Sequence, residues 1–215
     1  MLELVLKLAA AYLLGSVMGA LVLGVLLGVP DVRREGSGNA GATNALRARG
    51  KSFGAMVAVF DLLKGVLAVA VIPYLPLPGL AANYDPEWIQ VFCGVAVVLG
   101  HIWPIWHRFQ GGKGAATLVG VMAVVEPMLL IPVLAVWVLV LLLSGYVGLA
   151  TVLAGITGPV ALLLAGVGPG GPVFTLALVM ALILVYTHRD NLRRLYLGEE
   201  HCFERIRILG RRSDS

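Results

Sequence analysis

The segment TLVGVMAVVEPMLLIPVLAVWVLVLLL, Thr117 to Leu143, contains one charged residue in 27 positions. A helix that crosses a bilayer needs about 20 apolar residues, so the segment allows one long helix or two short ones. Glu126 and Pro127 favour the second arrangement, because a carboxylate is costly in the bilayer core and a proline ends a helix. We therefore predict two short helices that meet at Glu126-Pro127.

The rest of the chain is similarly apolar. Of its 215 residues, 59% are hydrophobic and 13% are charged, and the mean hydropathy is +0.92. Soluble domains have about 45–50% apolar and about 25% charged residues. The sequence predicts an all-α polytopic membrane protein, a bundle of about seven transmembrane helices with polar loops on the cytoplasmic side, forming one domain over 1–215. The spans are expected near 3–28, 53–73, 89–106, 114–125, 127–143, 146–165 and 172–188, followed by a cytoplasmic tail over 189–215.

Basic residues predict the orientation. Lysine and arginine are concentrated in the loops 31–52 and 107–113 and in the tail, whereas the loop 74–88 contains none. Basic loops remain on the cytoplasmic side of a membrane, which places the N-terminus outside and the C-terminus in the cytoplasm. Cys93, Cys202 and the four histidines have neither disulfide nor metal-ligand spacing. We expect no metal, no cofactor and no nucleic-acid partner.

Four polar blocks interrupt the apolar runs, and all are predicted on the basic face. The first is GSGNAGATN, Gly36 to Asn44, followed by Arg47. Glycines let successive amides converge on an anion, hydroxyl and amide side chains add donors, and a guanidinium suits phosphate. The alternative is a flexible loop whose serine and asparagines only form turns. The candidate ligands of this block are Ser37, Gly38, Asn39, Thr43, Asn44 and Arg47.

The second block, VFDLLKGVLAV, places Asp61 and Lys64 three positions apart on one face of a predicted helix. The two charges can pair with each other. Charged groups at this depth usually face a polar cavity, so the pattern also predicts a role at a site. We expect Lys64 to contact substrate and Asp61 to support it.

The third and fourth blocks are GHIWPIWHRFQGGKGAAT, Gly100 to Thr117, and HRDNLRRLYLGEE, His188 to Glu200. The glycine amides of the third block, with Lys113, precede a predicted helix start, which is a favourable position for a phosphate. An aromatic belt with a positive loop explains the tryptophans of this block but not its glycines. The candidates from both blocks are His101, Gly111, Gly112, Lys113, Thr117, His188, Asn191 and Glu200.

The blocks GSGNAGATNALR, FDLLKG, GHIWPIWHRFQGGKGAAT and HRDNLRRLYLGEE, in this order and spacing, resemble the signature blocks of the bacterial acyl-phosphate:glycerol-3-phosphate acyltransferase family, known as PlsY. The resemblance covers the whole chain. Ala40 departs from it, because the family often has proline there. The resemblance implies transfer of an acyl group from acyl phosphate to the 1-hydroxyl of glycerol 3-phosphate, without metal, in the first committed step of bacterial phospholipid synthesis.

The resemblance also implies roles for individual residues. Ser37 and Arg47 are expected around the acyl phosphate, and Gly111, Gly112 and Lys113 around glycerol 3-phosphate. His188 and Asn191 are expected to complete the site, with Glu200 holding the tail. The proton of the attacking hydroxyl is expected to go to His101, His188 or a phosphate oxygen of the substrate.

The expected partners are the two substrates and the lipids of the bacterial inner membrane, while the sequence predicts no oligomeric state. Two other functions compete with this one. An acyltransferase that uses acyl-CoA differs only in its donor. A transporter for organic phosphates would also use basic residues and broken helices, but inverted repeats are expected in a transporter and are absent from this sequence.

Overall fold

The computed structural model describes residues 1–78, 80, 84–204 and 206–208, and all regular structure within these residues is helical. The predicted all-helical class is therefore confirmed. The chain forms two compact units, Met1–Glu126 and Pro127–Ser215. Arg205, Arg211 and Arg212 of the predicted tail lie outside the described residues, as do 79 and 81–83 of the predicted outer loop.

The first unit contains six α-helices within the described residues, joined by loops and short 3-10 turns. They are α1 Leu2–Gly15, α2 Gly19–Leu27, α3 Ala42–Arg49, α4 Lys51–Ala70, α5 Pro86–Ile102 and α6 Ala115–Val125. Helix α6 ends directly before Glu126, and Pro127 begins a 3-10 turn, Pro127–Leu129. The predicted break at Glu126-Pro127 is therefore present.

The first apolar run is not one helix. It divides into α1 and α2, which are bent by 47° at residues 16–18. Ser16 is fully buried at this break, where its hydroxyl donates to Tyr12 O at 3.0 Å. No proline or charge in the sequence marks the position. The span predicted near 3–28 corresponds to the bent pair of α1 and α2.

Glycines allow the helices of the first unit to approach closely. A Cβ at Gly15 would overlap the backbone of Val97 in α5, and one at Gly65 in α4 would overlap the carbonyl of Thr117 in α6. Small residues permit such backbone contact between membrane helices. Gly19 makes a comparable contact, because a Cβ there would lie 2.9 Å from the Phe60 ring of α4.

The second unit contains four α-helices within the described residues: α7 Leu130–Ser144, α8 Val147–Leu164, α9 Pro172–Thr187 and α10 Arg189–Tyr196. Helix α8 packs against both α7 and α9. The following tail is tied to the turn between α7 and α8, because Phe203 N–H donates to Gly145 O at 2.9 Å and Ile208 N–H donates to Leu142 O at 2.7 Å.

Four helical segments in the described part of the chain are long and apolar enough to cross a membrane: Lys51–Tyr74, Pro86–His107, Pro127–Ser144 and Val147–Leu164. Two bent pairs, α1 with α2 and α9 with α10, bring the number to six if each pair is one span. Helix α6 is apolar but has only 11 residues. The predicted number of about seven is thus an approximate description.

Candidate functional site

The first glycine-rich loop connects α2 to α3 and is organised by one side chain. Asn44, in the first turn of α3, accepts the Ser37 N–H at 2.9 Å through Oδ1. Its Nδ2 donates to Val32 O at 2.8 Å and to Glu35 O at 3.1 Å. Gly36 has φ +60°, and a Cβ at this position would overlap Asn44 Oδ1. The loop therefore requires glycine at 36 and asparagine at 44.

The polar residues of this loop differ in whether they are buried or exposed. Asn44 is only 3% exposed, and both groups of its amide bind the loop backbone, so it supports the loop instead of presenting donors. Asn39 Oδ1 accepts Gly41 N–H at 2.8 Å, just before α3. Ser37 and Gly38 are exposed at the tip of the loop. Thr43 and Arg47 follow on α3, where a spacing of four places them on one face.

The segment 31–51, which contains the first glycine-rich loop, has a positive net charge. Asp31 is held by the Arg33 guanidinium at 2.7 Å, and this hydrogen bond lowers the pKa of the carboxyl. Glu35 is bound by both terminal nitrogens of Arg49, at 2.6 and 2.7 Å, which lowers its pKa as well. The segment 31–51 contains five basic and two acidic residues, so its net charge is +3. An anion is favoured beside it.

The second glycine-rich loop folds back on the end of α5. Gly111 N–H donates to Ile102 O at 3.2 Å and Gly112 N–H donates to His101 O at 3.0 Å. These bonds satisfy carbonyl groups that a helix leaves open at its C-terminus. The loop then leads through Lys113 and Gly114, which has φ +87°, directly into α6 at Ala115. The helix start expected after GGKG is therefore present.

The two glycine-rich loops lie next to each other within the first unit. Ala40 N–H donates to Gly111 O at 3.3 Å, and Arg33 Nη1 donates to Gln110 O at 3.5 Å. A proline at position 40 would lack the N–H that makes the first of these bonds. Two blocks that are about 70 residues apart in sequence thus form one polar surface.

A buried charged cluster lies between α4 and α5 in the same unit. Asp61 Oδ1 is 3.0 Å from Lys64 Nζ and 3.5 Å from His101 Nδ1. These side chains are between 0 and 3% exposed. Thr117 is also fully buried, at the start of α6, and its hydroxyl has no hydrogen-bond partner among the described residues. The structure therefore brings together Asp61, Lys64 and His101, which the sequence selected, but away from solvent.

The fourth block forms a separate cluster in the second unit. His188, between α9 and α10, is buried, and its Nδ1 lies 2.9 Å from Leu184 O. Since a carbonyl oxygen can only accept, Nδ1 carries the proton, and the lone pair of the neutral ring is on Nε2. Asn191 Nδ2 donates to Glu200 Oε1 at 2.6 Å, while Arg194 Nε donates to Glu200 Oε2 at 2.8 Å. Glu200 thus links the tail to α10.

Sequence reasoning missed two features of these clusters. Ser16 was not selected, although it is a hydroxyl in an apolar run, and its Oγ also accepts Ile105 N–H at 3.4 Å. Gly148 was not selected either, although a Cβ there would meet the Asn191 side chain at 2.7 Å. Ser16 could have been found from the sequence, because it is a hydroxyl in an apolar run. Gly148 could not, because only the packing of α8 against α10 shows why a glycine is required there.

The chain was compared with known proteins. The sequence profile described as glycerol-3-phosphate acyltransferase matches residues 5–198. Proteins named glycerol-3-phosphate acyltransferase are similar over nearly the whole chain. The protein from Aquifex aeolicus is 40% identical over 196 residues, covering 90% of this chain and 95% of its own length. That from Desulforudis audaxviator is 39% identical over 203 residues, covering 94% and 96%.

Two solved structures have a similar fold. Both are crystal structures of PlsY (YgiH), an integral membrane glycerol 3-phosphate acyltransferase, one in a glycerol 3-phosphate form and one in a lysophosphatidic acid form. The TM-scores are 0.79 and 0.77. In each case the sequences are 36% identical, and the match covers 93% of this chain and 95% of the solved chain.

Proposed function

Because this chain belongs to the glycerol-3-phosphate acyltransferase family, we propose that it transfers an acyl chain from acyl phosphate to the sn-1 hydroxyl of glycerol 3-phosphate. The products are 1-acyl-glycerol 3-phosphate, which is lysophosphatidate, and inorganic phosphate. The closeness of the two glycine-rich loops beside a positively charged segment carries this proposal, since Gly111 O and Gln110 O of the second loop both contact the segment of the first. Two substrates that both bear phosphate need two such loops close together.

The proposed reaction needs little activation of the nucleophile. The hydroxyl oxygen of glycerol 3-phosphate forms a bond to the acyl carbonyl carbon, the bond from that carbon to the phosphate oxygen breaks, and phosphate leaves with the electron pair. Phosphate is a good leaving group, so we expect no metal and no cofactor to be required. Holding the reactants together and neutralising their charge supplies most of the rate acceleration.

In the first unit, we assign Ser37 and Arg47 to the acyl phosphate, with Gly38, Asn39 and Thr43 as nearby ligands. Ser37 and Gly38 are exposed at the loop tip, which suits contact with a ligand. Gly111 and Gly112, which let the loop backbone approach a ligand, are assigned to glycerol 3-phosphate together with Lys113 and Thr117. Asn44 acts through the loop that it organises.

In the second unit, we assign catalytic roles to His188 and Asn191 and a structural role to Glu200. Glu200 holds the Asn191 amide at 2.6 Å and so orients it. The proton released by the attacking hydroxyl goes either to His188 Nε2 or to a phosphate oxygen of the substrate. We propose that the two units work together as one acyltransferase domain over 1–215.

The protein is an integral membrane protein, and we propose the bacterial inner membrane as its location. The basic loops 31–52 and 107–113 would face the cytoplasm, with the N-terminus outside and the C-terminus inside. Glycerol 3-phosphate then arrives from the cytoplasm, while the acyl chain of the donor remains in the lipid.

The proposal is tested by measuring phosphate release from palmitoyl phosphate by the purified protein in detergent, with and without glycerol 3-phosphate. Palmitoyl-CoA is tested in parallel. We expect release only with both substrates and no turnover of the CoA ester. Turnover of palmitoyl-CoA alone would show that the donor is wrong, and no turnover with either donor in a folded sample would favour transport of organic phosphates.

Two variants and one control locate the chemistry in the first loop. Ser37→Ala and Arg47→Ala are expected to lower kcat/KM by about 100-fold or more, as the loss of a group that stabilises developing charge usually does. Ser52→Ala is the matched control, because Ser52 is an exposed serine at the start of α4. Equal activity of Ser37→Ala and Ser52→Ala would contradict the assignment.

His188→Asn decides between the two proton acceptors. The asparagine amide can still donate to Leu184 O, but it has no group in place of Nε2. A general base contributes about 100-fold to 10,000-fold. A loss of that size, with loss of the acidic limb of the pH–rate profile, would identify His188 as the base. A loss of less than about tenfold would assign the proton to the substrate phosphate.

A further inference from the structure

We infer that Asp61, Lys64 and His101 are positioning residues that hold the backbone of Gly111 and Gly112 in place for glycerol 3-phosphate, and that they do not contact substrate. The inference rests on the proposed function and gives Lys64 and His101 roles that differ from those predicted from the sequence. The sequence predicted that Lys64 binds substrate and that His101 is catalytic.

Lys64 is bound by oxygen atoms of the protein itself. Its Nζ donates to Gly15 O and Val17 O, both at 2.9 Å. Asp61 Oδ1, 3.0 Å from the same Nζ, supplies the opposite charge. The side chain is 2% exposed. Lys64 therefore stabilises the break between α1 and α2, where helix carbonyls would otherwise lack donors.

Asp61 lies between Lys64 and His101 and contacts both. The same oxygen that faces Lys64 is 3.5 Å from His101 Nδ1, so this side of the imidazole ring faces α4. The opposite side of the ring then faces the glycine-rich loop. A Cβ at Gly112 would overlap His101 Nε2, so the ring lies directly against the backbone at 112.

His101 holds this loop through its backbone as well. Its carbonyl accepts Gly112 N–H at 3.0 Å, and a Cβ at Gly111 would overlap the same carbonyl. Gly111 O in turn accepts Ala40 N–H of the first loop at 3.3 Å. An unbroken series of contacts thus connects the break in the first span, through Lys64, Asp61 and His101, to both glycine-rich loops.

A second buried ion pair in the same unit shows what a purely structural pair would look like. Lys7 Nζ is 2.7 Å from Glu3 Oε1 and donates to Pro73 O at 2.6 Å. Both side chains are less than 10% exposed. This pair also joins a lysine, a carboxylate and a backbone carbonyl, but among the described residues neither side chain contacts the glycine-rich loops. It is the matched control for the cluster.

The test is the steady-state kinetics of glycerol 3-phosphate in Asp61→Asn, His101→Gln and Glu3→Gln, with the thermal midpoint measured for each. We expect Asp61→Asn and His101→Gln to raise KM for glycerol 3-phosphate by about tenfold or more, because small displacements of a binding group cost this much. We expect kcat to remain within about threefold and the pH–rate profile to keep its shape. Glu3→Gln should lower the thermal midpoint without changing KM.

Two outcomes would overturn the inference. If Asp61→Asn lowers the midpoint as Glu3→Gln does and leaves KM unchanged, the cluster is only structural. If His101→Gln lowers kcat by about 100-fold or more and removes the acidic limb of the pH profile, His101 is a catalytic base. If Asp61→Asn does not fold, His101→Gln carries the test. An inactive wild-type protein would instead contradict the proposed function, so the two failures are distinguishable.

Discussion

Replacement of Asn44 tests whether one side chain maintains the first glycine-rich loop. Asn44→Ala removes three hydrogen bonds to the backbone, of 2.9, 2.8 and 3.1 Å. A net contribution of about 0.5–1.5 kcal/mol for each gives an expected loss of about 1.5–4.5 kcal/mol in the free energy of unfolding. The upper half of this range is favoured because the side chain is almost fully buried.

Asn44→Asp has the same size and shape but should be more damaging than Asn44→Ala. One carboxylate oxygen can still accept the Ser37 N–H. The other replaces Nδ2 and faces two carbonyl oxygens, Val32 O and Glu35 O. Two hydrogen bonds are then lost, and a buried negative charge lies against two acceptors. The asparagine amide, and not merely a polar group, is what the loop requires.

The assay is unfolding of the purified protein in mixed detergent micelles by titration with dodecyl sulfate, followed by tryptophan fluorescence and circular dichroism. Asn39→Ala is the control, because Asn39 makes one comparable bond, to Gly41 N–H at 2.8 Å, and should cost only about 0.5–1.5 kcal/mol. Asn44→Ala within about 0.5 kcal/mol of wild type, or an Asn44→Asp variant more stable than Asn44→Ala, would refute the reasoning.

Three further predictions concern other contacts, each measured in the same unfolding assay. Gly120→Ala should lower the free energy of unfolding by about 1–3 kcal/mol, because its Cβ would overlap the backbone of α4. Gly168→Ala is the control and should change it by less than about 0.5 kcal/mol, because nothing lies within 4 Å of a Cβ there. Equal effects of the two substitutions would contradict this prediction. Glu200→Gln should lower the free energy of unfolding by about 1 kcal/mol, since the hydrogen bond from the partly exposed Arg194 is lost while that from Asn191 remains. An unchanged free energy would show that other contacts hold the tail. The Arg33 hydrogen bond lowers the pKa of Asp31 below 3.8, so its ionised form contributes stability above that pH, and this contribution disappears as the pH falls through the folded-state pKa. The difference between wild type and Asp31→Asn should therefore be constant near neutral pH and vanish in acid, and a difference that grows in acid would contradict it.

Features that depend on local pattern were predictable from the sequence. The break at Glu126-Pro127 follows from the cost of a carboxylate in lipid and from the missing N–H of proline. The start of α6 at Ala115 follows from the glycines before it. The family follows from the four polar blocks, and the match over residues 5–198 confirms it.

Features that depend on distant contacts were not predictable. The break between α1 and α2 contains no proline, and its open carbonyls at Gly15 and Val17 are satisfied by Lys64, 47 to 49 residues away. Lys64 was predicted to contact substrate, and in the structure its ammonium group donates to these two carbonyls. An intramembrane lysine indicates a buried partner, but the sequence does not show whether the partner is a ligand or the backbone.

The sequence by itself determined that this protein is a helical membrane protein of the glycerol-3-phosphate acyltransferase family, because apolar length and the order of polar blocks are properties of the chain alone. Only the tertiary structure decided which polar residues belong to the exposed surface of the glycine-rich loops and which are buried and hold those loops in place. A buried donor must find an acceptor within hydrogen-bond distance. For Lys64, Asn44 and Ala40 those acceptors are backbone oxygens that only the folded arrangement of helices and loops brings within reach.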